Sequence, residues 1–263
     1  MNIHNSLVNQ MLYSIKHPMI WVYGAWIDLK NKYRRTTIGV GWNFLTLFIT
    51  VMIMTTIWSL IFKINFFELF PYIFNGFAIY FFITNSINIS CYSLVQIRKD
   101  IYFNINIPIL VLVLRDVFQQ LLTYTQYMIL IIFFYIYQYS FNFFNILLFF
   151  FGLIIVFIQT IFICLIVSFV ATRFRDVAAL ITSLLSAATL LTPVIWKKEM
   201  LGVYQNYVYL NPLSFMVEII RDPIIDIVPQ LFVYMLNIFF LLILFIISFV
   251  LVKTKGARLI LWV

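Results

Sequence analysis

Apolar and polar positions along this chain separate into long blocks rather than short alternating periods. Apolar runs long enough to cross a bilayer as helices lie at about 37–62, 72–95, 111–137, 146–171, 178–196 and 231–252. They predict an all-α integral membrane fold with six transmembrane helices. The division is an N-terminal segment, 1–36, and one transmembrane domain, 37–263. Two segments depart from the pattern. HPMIWVYGAWIDLKNKY (17–33) mixes Ile20, Trp21, Tyr23, Trp26 and Ile27 with polar residues. That mixture suits a partly amphipathic helix lying along the cytoplasmic interface, with Trp and Tyr at headgroup level. Residues 197–230 are too polar to span, yet carry Tyr204, Tyr207, Tyr209, Phe215 and Met216. Gly202, Asn211-Pro212 and Asp222-Pro223 interrupt them, and helices tend to stop before proline. This loop therefore predicts two short helices at the outer face, partly dipping into the membrane.

Composition agrees with the pattern. The 263 residues are 64% hydrophobic and 10% charged, with a mean hydropathy of +1.04. A soluble domain is nearer half apolar and a quarter charged, so the bilayer is the solvent here. The net charge of +8 is assigned to cytoplasmic loops and anionic headgroups rather than to nucleic acid. Thirteen cations fall on one side of the six-span topology: Lys16, Lys30, Lys32, Arg34, Arg35, Arg98, Lys99, Arg115, Arg173, Arg175, Lys253, Lys255 and Arg258. Four fall on the other: Lys63, Lys197, Lys198 and Arg221. The asymmetry places both termini in the cytoplasm. The first 36 residues are too polar for a signal peptide, so no cleavage is expected. Cys91 and Cys164 stand alone in apolar runs and read as packing residues.

Catalytic chemistry has little support. No GxxxxGK[ST] loop occurs, and Gly39-Val-Gly41 lacks the third glycine and preceding strand of a dinucleotide fingerprint. The two histidines, His4 and His17, are near the N-terminus and form no metal or nucleophile set. The nine acidic residues fall in expected loops or span ends, which argues against a proton-driven carrier or an acidic-ring channel. The spans carry neutral polar groups instead: Asn85, Ser86, Asn88, Ser90 and Ser93; Gln119, Thr123 and Gln126; Thr46, Thr50, Thr55 and Thr56. These serve either as hydrogen-bonding glue between helices or as a pathway for a hydroxyl-rich substrate. Sequence leaves both open.

Four motifs occur in order at matching topological places. KYRR (Lys32, Arg34, Arg35) precedes IGVGW (Gly39, Trp42) at the start of the first span. RFRDV (Arg173, Arg175, Asp176) follows the fourth, TPVIW (Thr192, Pro193, Trp196) closes the fifth, and LNPLSFMVEIIRDPI (Asn211, Pro212, Arg221) fills the last outer loop. On these the chain resembles the membrane subunits of ABC-2 type exporters, specifically the permeases of O-antigen, capsule and teichoic-acid systems. The resemblance implies a homodimer around a channel in a bacterial cytoplasmic (inner) membrane. Two copies of a separate ABC ATPase would hold the ATP and Mg, with no cofactor on this chain. The substrate would be a glycan on undecaprenyl diphosphate. An ABC-2 permease for a drug, antibiotic or small lipid is the alternative, and a non-transporting scaffold or glycosyltransferase accessory is a third reading. Within the first, Gln96, Arg98, Lys99 and Asp100 are expected to couple to the ATPase. Lys32, Arg34 and Arg35 would stand at the cytoplasmic entrance near the lipid diphosphate. Arg173, Arg175 and Asp176 would fix their turn by ion pairing. Phe44, Phe48 and Trp58 are pathway candidates. Tyr204, Tyr207, Asn211 and Pro212 belong to a capping exit loop.

Overall fold

The computed structural model describes residues 6–94, 107–138, 142–256 and 259. Among these there are helices and no strands. The α-helices are α1 (Leu7–Lys16), α2 (Pro18–Lys32), α3 (Gly41–Phe62), α4 (Phe66–Tyr92), α5 (Ile109–Gln138), α6 (Phe143–Arg173), α7 (Asp176–Leu191), α8 (Pro212–Ile224) and α9 (Leu231–Lys255). A 3-10 segment, Lys198–Leu210, lies between α7 and α8. Helices α3, α4, α5, α6 and α9 are long and apolar enough to cross a membrane. The chain is an all-helical, multi-pass membrane protein.

Helix α4 is the hub. It packs against α3, α5, α6, α7 and α8, and its side chains from Leu69 to Tyr80 are all buried. It starts earlier than position 72 because Asn65 caps it, accepting from the Phe67 amide at 3.0 Å. Lys63, in left-handed conformation (φ 55°), ends α3, so a tight turn returns the chain antiparallel.

The fifth apolar run does not form a full-length helix. α7 has 16 residues, about 24 Å at 1.5 Å per residue, against a hydrocarbon core of about 30 Å. It stops at Leu191 because Thr192 is extended (φ −88°, ψ 134°) ahead of Pro193. The segment nevertheless runs antiparallel to α4 for much of its length. Thr182 Oγ1 donates to Asn88 Oδ1 at 3.1 Å, Tyr80 donates to the Leu185 carbonyl, and Tyr72 donates to the Pro193 and Trp196 carbonyls at 3.2 and 3.1 Å. Gly76 permits this approach: a Cβ there would lie 3.1 Å from Val194 Cγ1.

The loop 197–230 holds the 3-10 segment, kinked at Gly202 (φ 55°), and then α8. Every residue of α8 from Leu213 to Ile224 is buried, against α4, α6 and α9. Asn211 caps it through the Leu213 amide (3.1 Å) and Pro212 occupies its first turn. A Cβ on Gly152 of α6 would sit 2.7 Å from the Ile219 carbonyl oxygen, so α6 and α8 touch backbone to backbone. At the opposite end of the bundle, the helix expected at 17–33 is present as α2, preceded by α1, which the sequence pattern did not suggest. α2 lies on α5, with Trp21 edge-on to Phe118 (5.2 Å between centroids) and Asp28 gripped by Arg115 Nε and Nη2 at 2.7 and 2.6 Å.

Candidate functional site

Of the polar regions among the described residues, three bear on function. The first is an ionic knot where α7 breaks. Arg221, 2% exposed, donates through Nε and Nη2 to Asp222 Oδ1 (3.0 and 2.9 Å) and through Nη1 to the Pro193 carbonyl (2.6 Å). Its guanidinium lies 4.0 Å from the centre of the Tyr72 ring. Lys198 donates to Glu218 Oε1 and, at 3.0 Å, to the Tyr209 hydroxyl, which itself donates to Glu218 Oε1 at 3.0 Å. Burial alone would lower the Lys198 ammonium, but its bonds to Glu218 and Tyr209 outweigh that and hold it above the ordinary lysine range. Burial pushes the Asp222 carboxyl up to about 6 against the opposing pull of Arg221. Irregular backbone buried in protein is tolerated where neighbouring groups supply its hydrogen bonds. Arg221 and Tyr72 do so for Pro193 and Trp196, Asn211 Nδ2 reaches Thr192 Oγ1 at 2.9 Å, and Trp196 Nε1 reaches the Leu190 carbonyl at 3.0 Å.

Lys197, Lys198, Glu218 and Asp222 were expected only as charge of the last outer segment, and Arg221 as part of its LNPLSFMVEIIRDPI motif. Their signal was the spacing 218, 221, 222, which puts three charges on one helical face. Of the exit-loop residues, Asn211 and Pro212 start α8, while Tyr204 and Tyr207 are exposed with rings 5.9 Å apart. An exposed aromatic pair of this kind suits a membrane–water interface.

The second region is the basic turn into α3. Gly39 takes a left-handed conformation (φ 63°) and Gly41 opens the helix, as the glycine pattern implies. Tyr33 donates to Asn43 Oδ1, and Thr36 Oγ1 to the Tyr33 carbonyl at 2.9 Å. Lys32, Arg34 and Arg35 are exposed and form no ion pair among the described residues.

The third region lies along α3, α4 and α7. Phe44 and Phe48 are half-buried and stack at 5.9 Å, and Phe48 meets Phe70 of α4 edge-on at 6.1 Å. Trp58 stands apart, stacked on Phe62 at 4.9 Å, so the three pathway candidates do not form one cluster. Asn85 is exposed two turns before the end of α4. Ser183 and Ser186 are exposed on α7, which packs against α4. Their hydroxyls return to the Ala179 and Thr182 carbonyls, both at 3.0 Å. No partner accepts or donates to the Asn85 amide among the described residues.

Asp116, expected near a span end, lies two turns into α5, fully buried, with Ser90 Oγ 3.5 Å from Oδ2. Of the turn expected to be fixed by ion pairing, Arg173, Arg175 and Asp176 are all exposed, no ion pair joins them to one another among the described residues, and Arg173 lies over the Phe174 ring (5.3 Å). Asp176 instead occupies the first turn of α7, where the helix dipole favours an anion. Gln96, Arg98, Lys99 and Asp100 lie outside the described residues. No known family model matches the chain, and no curated protein matches it.

Proposed function

We propose that this chain is the membrane-spanning permease of an ABC exporter that moves a lipid-linked polysaccharide across a bacterial cytoplasmic membrane. A separate ATPase supplies the energy. In this reading α7 with the irregular Thr192–Trp196 turn makes a sixth crossing, and both termini are cytoplasmic. The 3-10 segment and α8 then lie at the outer side. Two copies pair around the α3, α4 and α7 surface.

The observation that carries the proposal is the exposed Asn85 amide on α4, which has no hydrogen-bond partner among the described residues. Lipid tails offer an amide nothing to bond with, whereas a second copy or a hydroxyl-rich chain does. The unpaired Lys32, Arg34 and Arg35 stand at the same end of the bundle, where a lipid diphosphate would arrive. Arginine suits phosphate through its planar fork. The four ordered motifs add the family context.

The test is coexpression with an ABC ATPase encoded beside the gene. Copurification, and ATP hydrolysis stimulated by lipid-linked glycan, are expected. Reversing Arg98 and Lys99 to Glu should abolish copurification without altering membrane orientation. An ATPase that neither binds nor responds would overturn the proposal.

A further inference from the structure

At the α8 end a cavity of about 400 Å³ opens between Tyr72, the Lys197–Glu199 turn, α8 and residues 225–230. That is within the roughly 300–1,000 Å³ of small-molecule sites. Its charges balance. Lys197, Lys198 and Arg221 face Glu199, Glu218 and Asp222 across one space. An anionic guest would meet as many like charges as opposite ones, and so would a cation. A neutral guest with both donors and acceptors meets no such repulsion. Part of the wall, formed by Ile225, Ile227, Val228 and Pro229, is apolar. A sugar ring offers both faces: hydroxyls around its rim and a C–H surface across it.

An independent pointer is Glu218. Its side chain is 1% exposed and lines the cavity. Lys198 and Tyr209 both engage Oε1, whereas Oε2 is buried with no hydrogen-bond partner among the described residues. Buried carboxylate oxygens are seldom left without a donor. We propose that this cavity binds one glycosyl unit, with Glu218 Oε2 accepting from a sugar hydroxyl and the Ile225–Pro229 wall covering the ring's C–H face. The assignment to a glycan in transit rests on the export reading above. The cavity would hold successive units as they leave the membrane.

The test uses the full chain in nanodiscs free of maltoside detergent. Methyl glycosides of glucose, galactose, mannose, rhamnose and N-acetylglucosamine are titrated, with inorganic pyrophosphate as the anionic probe. Binding is read by saturation-transfer NMR and by the shift in thermal unfolding. At least one glycoside should bind saturably, and pyrophosphate should not. Glu218→Gln should weaken binding but also disturbs Lys198, so the deciding variant is Val228→Trp. Val228 is 55% exposed on the rim, and a bulky ring there narrows the cavity without removing any hydrogen-bonding group of the ionic knot. It should weaken the glycoside roughly tenfold or more, as overfilling a formed site does. Binding of no glycoside, binding of pyrophosphate in their place, or glycoside binding unchanged in Val228→Trp each overturns the assignment. Glycoside binding without ATPase copurification would leave the cavity standing and the export reading failed; the reverse result would do the opposite.

Discussion

An arginine buried in an apolar bundle persists only when its N–H groups find acceptors. Arg221 has three such contacts, and one of them is a carbonyl that the break in α7 leaves open. Removing the cation alone strands Asp222 and leaves the Pro193 carbonyl with Tyr72 as its remaining donor. Arg221→Met should therefore cost about 3–5 kcal/mol, the usual penalty for breaking a buried pair from one side. The double variant Arg221→Met with Asp222→Leu should recover part of this loss, because no charge then remains buried alone. Thermal unfolding of the three proteins in nanodiscs separates the cases. Asp222 adds a pH dependence. Its carboxyl is raised to about 6 in the fold from an ordinary value of 3.8. In the unfolded chain it therefore loses its proton at lower pH, and the cost of burying its charge grows as pH rises from about 4 to 6. Relative to Asp222→Asn, which mimics the protonated form, the native protein should gain stability as pH falls from 7 to 5. A melting-temperature difference that stays flat over that range would count against a raised carboxyl.

At the scale of elements, two glycines make opposite predictions about why they are glycine. Gly152 lets α6 meet α8 at backbone distance, so Gly152→Ala drives a Cβ to 2.7 Å from the Ile219 carbonyl. Overpacking of this kind costs about 1–3 kcal/mol, and the loss should appear in the thermal unfolding. Gly39 has open space around its missing Cβ but a φ of 63°. Gly39→Ala should cost about 1 kcal/mol through backbone strain alone, and a bulkier side chain there should cost little more. Long uniform apolar stretches were legible because hydrophobicity over twenty residues needs no tertiary information. The expected 37–62 is Gly41–Phe62, 146–171 is Phe143–Arg173, and 231–252 is Leu231–Lys255. Elements whose state depends on neighbours were not legible. Residues 66–71 read as loop because Glu68 and Pro71 dilute the apolar run, yet the cap at Asn65 starts α4 there. α8 reads as one of two short outer-face helices partly dipping into the membrane, and only its packing against α4, α6 and α9 shows its charges to be internal. The same limit applies to the ionic knot. The spacing of Glu218, Arg221 and Asp222 was visible, but Tyr72, Pro193 and Lys198 reach them only through long-range packing.

For the whole molecule the question is what covers the polar face of the span region. Hydroxyls on helices can satisfy themselves. Thr46, Thr50 and Thr56 donate to carbonyls one turn back, each at 2.8 Å, so α3 can face lipid despite its threonines. An asparagine amide has two donors and an acceptor, and Asn85 is exposed without that local solution. Polar side chains of this type hold membrane helices together at about 0.6–2 kcal/mol each. A homodimer paired on this surface would shield Asn85 from lipid. Introduced cysteines can read this directly, because Cys91 and Cys164 are both buried. Asn85→Cys should cross-link under mild oxidation in native membranes, giving a band of twice the chain mass. Ile154→Cys, on an exposed position of α6 (58%), should not. Asn85→Leu should weaken the dimer seen by light scattering in nanodiscs while leaving the monomer's melting temperature unchanged or raised. Cross-linking at position 154 but not at 85 would move the dimer seam to α6. Asn85→Leu that leaves the dimer intact yet abolishes glycan-stimulated ATP hydrolysis would instead place Asn85 on the substrate's path.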